Sequence, residues 1–539
     1  MNSAMRTPTI TKSIPGVLFA LAFATLVASG PARSGPSGSK PAPLAFNAPS
    51  YASPYFEIHA PFGIEGEKTL FKSLTINGAP TDQFLLMKDG QPVDLAKALK
   101  PGDYDIVLSF AWRSAAPYKA AALLQELNGR ETTLEWAGTS PDQGGIPAGC
   151  EEGFYRVFNV EETAGLERKG EIVTLTITKS KSDVEMQNYR IYDGPALVPY
   201  QIVETRESVP PASEAKTQPV TVTIKLALPV DAAANQRKIL ILLKGEGGRP
   251  ADGAFAVAGE GLGKTVSTSR IALGFHPQSG QINTIEYLKE GIKLHNEKAG
   301  VIHWNPDVFV PGIAWDHSFD WNPPESFAEK NGPFLYLNAR KGPMPRVKDV
   351  ALEVKYTIIR DAPYFIVETL MTVGRDMGVV ALRNDEMVFY KRLFDTLVYK
   401  DRKDGVVQRP LIELPGFPFG LAHIAPSELD WLGLVNTFNH YGFFGLRLQA
   451  AAASLGAAGD FSHKAGTYFY APADGEYVYW VRPYLYTWGE FLTSNHLTFL
   501  PQGSIFYEKN AYILLPMNDK TPAVLDELTL RLKSPLRVF

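Results

Sequence analysis

The chain has 539 residues, more than one hydrophobic core usually supports, and sets 53 Lys and Arg against 57 Asp and Glu for a net charge of -4. Charge this near balance, with no long basic run, excludes nucleic acid as a partner. Hydrophobic residues make up 45% of the chain and its one cysteine, Cys150, rules out an intrachain disulfide, so the fold must rest on large packed cores.

Arg6 and Lys12 precede an apolar run from Val17 to Ala28, followed by the small-residue stretch SGPARSGPSGSKPAP. That order predicts an export signal over 1–32 and a Pro- and Gly-rich linker over 33–50, and hence a periplasmic or secreted protein. The apolar run is too short to cross a bilayer, and no later segment offers the roughly twenty apolar residues that a spanning helix needs.

From Tyr55 onward the residues alternate in the manner of strands: YFEIHA, TLFKSLTI, QFLLMKDG and GDYDIVLSFAW. One helix is predicted over 117–129, PYKAAALLQELNG, where Ala and Leu recur and Gly129 follows the end. Short alternating runs then resume through VTVTIKLALPV, as expected of an antiparallel sandwich over 51–235. The polar segment 206–218 reads as a long hairpin loop. The chain divides near 232–236 or in the glycine-rich 245–263, and 236–539 forms the second region. AGEGLGKT (258–265) approximates a phosphate-binding loop, but Ala258 replaces the first glycine and β-branched residues follow, so a glycine-rich hairpin explains it better.

The second half continues as strands of higher aromatic content, among them VALEVKYTII, EYVYWVRPYLY, GSIFYEKNAYILLP and LTLRLKS, without intervening helices. The fold class is therefore all-β: an N-terminal β-sandwich region followed by a large antiparallel supersandwich. Eight of the nine histidines and six of the eight tryptophans lie after residue 270, which concentrates titratable and stacking chemistry there.

The stretches FHPQSGQINTIEY (275–287), HWNPDVF (303–309), PYFIVETLMTV (363–373) and RNDEMVF (383–389) resemble the β-supersandwich of galactose-mutarotase-like carbohydrate enzymes, which also forms sheets of several polysaccharide lyases. The resemblance covers roughly 240–539 and implies a sugar-binding groove across a concave sheet. It departs from many lyases in lacking an α/α-toroid before the sandwich, and fold alone does not fix a reaction.

The stretch 301–324 gathers His303, Trp304, Asp307, Trp315, Asp316, His317, Asp320 and Trp321. Flat rings stack on sugar faces, and Asp and His bond hydroxyls, so Trp304, Trp315 and Trp321 are expected as substrate walls and His303 and His317 as acid and base. No HExxH or Cys-rich zinc spacing is present; a calcium ion held by Asp oxygens is as compatible with this composition as a transition metal, and neither is strongly implied. In 383–386, strict alternation sets Arg383 with Asp385 and Asn384 with Glu386 on opposite faces, giving a carboxylate clamp (Arg383), a binding carboxylate (Asp385) and a base (Glu386). The third group is Asn439, His440 and Tyr441 with Trp480 and Arg482; His440, Tyr441 and Arg482 supply the base, acid and cation that β-elimination from a uronate requires.

These residues predict an exported protein acting on a poly- or oligosaccharide, first as a lyase. The alternatives are a glycoside hydrolase with paired carboxylates, a sugar epimerase and a non-catalytic glycan-binding envelope protein.

Overall fold

The computed structural model describes residues 55–64, 68–81, 84–89, 91–95, 97–111, 116–140, 150–180, 189–209, 220–245, 255–295, 303, 305–390, 392–401, 404–413, 420–426, 429–453, 466–471, 477–486 and 497–539. The expected export signal (1–32) and linker (33–50) lie outside these residues.

The described residues are overwhelmingly strand, and every strand pair is antiparallel, which matches the all-β expectation. They form three successive packed regions. In the first, a sheet containing Tyr55–Ile64, Gly102–Ala111 and Phe84–Lys88 packs on one containing Thr69–Ile76, Ala116–Glu126 and Glu131–Ser140, around Leu74, Leu86, Ile106, Leu108, Ala120 and Ala122.

The segment predicted as a helix over 117–129 is instead the strand Ala116–Glu126, paired with Thr69–Ile76 and Glu131–Ser140. Its buried residues, Ala120, Ala122 and Leu124, alternate with more exposed ones, so a period of two outweighs the helical propensity of alanine and leucine.

The second region sets Arg168–Ser180, Thr221–Ala232 and Gln201–Ser208 against a five-stranded sheet that includes Tyr189–Asp193, Arg237–Gly245 and Cys150–Glu161. Thr221–Ala232 and Arg237–Gly245 both belong to this sandwich, so its strands continue past 235 to Gly245. Gln201–Ser208 and Thr221–Ala232 pair antiparallel up to Ser208 and Thr221, so residues 206–208 of the expected loop belong to a strand, and 210–219 lie outside the described residues.

Two features tie the C-terminus to this second region. Arg537–Val538 pairs with Glu161 and Val160 at the edge of the five-stranded sheet, and Phe539 exchanges backbone hydrogen bonds of 2.8 and 3.0 Å with Asn159. Arg168, 1% exposed, donates to the carbonyls of Arg531 (3.2 Å) and Ser534 (2.8 Å), which neutralises the last carbonyls of helix α1, Thr521–Lys533. Its Nη2 also binds Glu162 Oε1 at 2.8 Å, and Glu162 in turn accepts backbone N–H bonds from Ala164, Gly165, Leu166 and Asn235.

Helix α1 overturns a second expectation, that LTLRLKS forms a strand. Its alternating leucines also satisfy a helical spacing once Leu525 is counted: Leu525, Leu528 and Leu532 pack on Trp431, Phe444 and Ile513, and Pro522 opens the first turn.

The third region holds a five-stranded sheet from Ala256–Ala258 to Ile292–His295, a six-stranded sheet and a nine-stranded sheet, joined by one continuous core that includes Phe275, Tyr356, Phe365, Phe389, Phe443 and Tyr512. The glycine-rich 258–265 connects the antiparallel strands Ala256–Ala258 and Thr265–Ser267, with Gly259 at φ +93° and no helix behind it. It is a hairpin turn and has no phosphate-loop architecture.

Candidate functional site

The strands Asp307–Val310 and Ala314–His317 form a tight hairpin whose turn uses Gly312 at φ +83°. Asp307 is paired with His317 on one side and with Arg383 of Ala381–Tyr390 on the other. His317, Asp307 and Arg383 therefore stand in one row across three strands on the same face, with Trp315 and Phe309 in the next row.

Their side chains interlock. Arg383 Nε donates to Asp307 Oδ1 at 2.8 Å and its Nη2 donates to Oδ2, while Nη1 donates to Glu386 Oε1 at 3.1 Å. His317 Nδ1 lies 2.9 Å from Asp307 Oδ2. The Trp315 ring covers the guanidinium, its centroid 3.7 Å from Arg383 Cζ, and lies near-parallel to the His317 ring at 6.2 Å. Burial alone would raise the Asp307 carboxyl, but Arg383 and His317 outweigh it and hold the group below the ordinary carboxylate range.

Alternation across 383–386 does not hold here. The pairing with Tyr477–Tyr486 shifts register on both sides of Arg383, and this irregularity advances the phase by one residue, so Arg383 meets Glu386. Asp385 lies in the same strand opposite Arg482, and Trp480 opposite Met387; the side chains of Asp385, Trp480 and Arg482 are not described. Trp304 lies outside the described residues.

Asn305, not among the expected site residues, belongs to the cluster. Its surroundings orient the amide nitrogen towards the acids, donating to Glu386 Oε2 at 2.8 Å and Asp307 Oδ2 at 2.9 Å. Its position between Trp304 and Pro306 gave no sign of this, because Asn before Pro is an ordinary turn pair. Behind it, Gln281 Nε2 donates to the Asn305 carbonyl (2.9 Å) and to Ser318 Oγ (2.8 Å), and the Tyr356 hydroxyl donates to Gln281 Oε1 (2.7 Å).

His303 joins this inner network and not the face that carries His317. It is fully buried, with Nδ1 3.0 Å from the Tyr356 hydroxyl, and cannot reach a polysaccharide. Trp321 is likewise a core residue: it is 4% exposed and donates Nε1–H to the Pro343 carbonyl at 2.7 Å, so it is no sugar wall. Asp316 is buried against the connection between Leu335–Pro343 and Val350–Ile359, accepting from the backbone N–H groups of Arg346 (2.8 Å) and Val347 (2.6 Å).

His440 and Tyr441 sit elsewhere. His440 is exposed at φ +54° in the turn between Trp431–Asn436 and Tyr441–Ala453, beside exposed Asn439. Tyr441 is buried against Phe394, which touches Phe389. Phe389 is at the far end of the Arg383 strand, roughly 20 Å along it at strand rise. The expected residues thus divide: Trp315, His317, Arg383 and Glu386 come together with Asp307 and Asn305, while His303, Trp321, His440, Tyr441 and Asn439 do not join them. Among the described residues no group of three or more His, Cys, Asp or Glu is placed to hold a metal ion, and Arg383 already fills the space between Asp307 and Glu386.

No protein-family profile matches the chain, and no curated protein does. Among solved structures it is similar to a glycosyl hydrolase family 38 protein from Enterococcus faecalis, at 12% identity and a TM-score of 0.41 over 71% of this chain and 47% of the other. An alpha-mannosidase from Enterococcus faecalis V583 gives 12% identity and 0.42 over 71% and 46%. A galactose mutarotase-like protein from Lactobacillus casei is similar at 10% identity and 0.31 over 48% of this chain and all of the other. The chain thus spans about half the length of the two Enterococcus proteins.

Proposed function

We propose that this protein is exported and acts on a carbohydrate by acid–base chemistry at an anomeric carbon, hydrolysing a glycosidic bond. The observation that carries this reading is the row His317–Asp307–Arg383–Glu386. Its imidazole, with a 12% exposed side chain, lies 2.9 Å from a fully buried carboxylate, a contact that positions the ring at the edge of the cluster where a sugar could meet it. Asp307 and Glu386, 0% and 2% exposed, share the Asn305 amide donor beneath this histidine and fix Arg383 between them.

β-Elimination has weaker support. It needs a cation available for a uronate carboxylate, and Arg383 already spends three N–H groups on Asp307 and Glu386. The other elimination set fares no better, because His440 and Tyr441 belong to a distant turn. Anomeric isomerisation is a second reading, favoured by the greater exposure of His317 compared with Asp307 and Glu386, the latter 2% exposed.

The test is turnover of a panel of neutral and uronate-containing glycosides, read as new reducing ends, as ultraviolet-absorbing unsaturated product and, for free aldoses, as change in optical rotation. New reducing ends, reduced by about 10²- to 10⁴-fold in His317→Gln, are expected. Unsaturated product, or His317→Gln turning over like the parent, would sink the hydrolytic proposal; a change in optical rotation alone would select isomerisation.

A further inference from the structure

Three arginines are buried among the described residues: Arg168, Arg340 and Arg383. Two of them present the same edge of the guanidinium, Nε–H beside Nη2–H, to a carboxylate. Arg168 places that edge on Glu162 Oε1 at 3.2 and 2.8 Å, and Arg383 places it on Asp307. This is the two-pronged grip that makes arginine suited to planar anions.

Arg340, on Leu335–Pro343, is the exception. It is 0% exposed, and among the described residues no group meets hydrogen-bonding geometry at Nε or Nη2; Nη1 donates to the Ser279 carbonyl at 2.8 Å, and the Tyr356 hydroxyl also acts on the guanidinium. The guanidinium lies 4.7 Å from the Tyr356 ring and 5.7 Å from the Trp321 ring, and among the described residues no carboxylate forms an ion pair with it. Burial lowers its affinity for the proton, with the Tyr356 phenol opposing. Two ring faces and one carbonyl return only part of what is lost when a full charge leaves water. Gly280, φ +69°, packs closely alongside: a Cβ there would stand 2.7 Å from Arg340 Cδ and 3.1 Å from Leu262 Cδ2, so this turn takes glycine.

We propose that the Nε/Nη2 edge of Arg340 is an internal binding site for a small monovalent anion of the halide or nitrate class, taken from solution. One positive charge and two parallel donors match one such ion, and the absence of solvent exposure excludes anything as large as a phosphorylated metabolite or a sugar. The site is distinct from the His317 row, although Tyr356, which faces this guanidinium, also donates to Gln281 behind Asn305, and it does not rest on the reaction proposed there. Exchange of the ion requires opening of the Phe275–Gln281 turn, so binding couples to the stability of the third region.

The full chain is unfolded thermally in chloride, bromide or nitrate and in gluconate, at matched sodium and ionic strength. The expected result is an upward shift in Tm with chloride or bromide that saturates with concentration and is lost in Arg340→Met. Crystals grown in bromide supply the second measurement, needed if that variant fails to fold: an anomalous peak is expected within hydrogen-bonding distance of both Nε and Nη2. A Tm in the parent that does not distinguish chloride from gluconate, an equal dependence in Arg340→Met, or bromide crystals with no peak at that edge would each overturn the proposal and leave an internal water as the partner.

Discussion

Replacing Glu162 with glutamine takes the charge out of the most heavily bonded carboxylate in the second sandwich. Burial alone would raise this group, but the backbone N–H groups of Asn235, Ala164 and Leu166 and the guanidinium of Arg168 outweigh it and hold it at about 2, against an ordinary 4.5. At about 1.4 kcal/mol per unit, that gap is worth on the order of 3 kcal/mol of folding free energy. The sign follows from the direction: the folded-state value lies below the unfolded one, so the contribution is complete above about 4.5 and disappears as pH falls through about 2. In urea denaturation Glu162→Gln is expected to cost about 3 kcal/mol at pH 7, with more than half of the penalty gone by pH 3, since below about 4.5 the unfolded parent takes up the proton that the folded one still resists. A penalty below about 1 kcal/mol at pH 7, or one that is the same at pH 7 and pH 3, refutes the reasoning.

Asp307→Asn leaves Arg383 buried with only Glu386 for a carboxylate partner and removes the anion behind His317. A loss of about 3–5 kcal/mol in chemical denaturation is expected, together with lost turnover. His440→Asn keeps a residue that tolerates the left-handed turn conformation, far from the His317 row. Turnover equal to the parent's and a stability change within about 0.5 kcal/mol are expected, and a large loss of kcat would return that turn to the reacting centre.

The strands were legible because alternation is a local property, and the pattern of PYFIVETLMTV or VALEVKYTII needs no knowledge of what it packs against. Ala116–Glu126 and Thr521–Lys533 misled for one shared reason: Ala- and Leu-rich stretches satisfy both periods, and only their neighbours decide. A strand waits on each side of the first, while an apolar sheet face lies under the second. Within 303–321 the concentration of rings and acids was visible, but not its division between two faces. Asp307, Trp315 and His317 share one by their register with Arg383, whereas Asp316 belongs to the opposite one. The contact between Arg383 and Glu386 depends on a register shift set by the partner strand, which no spacing rule within 383–386 contains.

The pairing of Arg537–Val538 with Glu161 and Val160 sets an order on biosynthesis. Cys150–Glu161 emerges early from a ribosome, yet this covering strand arrives only after the whole third region has been translated. Until then one flank of that sheet offers unsatisfied backbone groups to any neighbouring nascent chain. Truncation by even a few residues at the carboxyl end would make that transient hazard permanent, and aggregation would be its visible symptom.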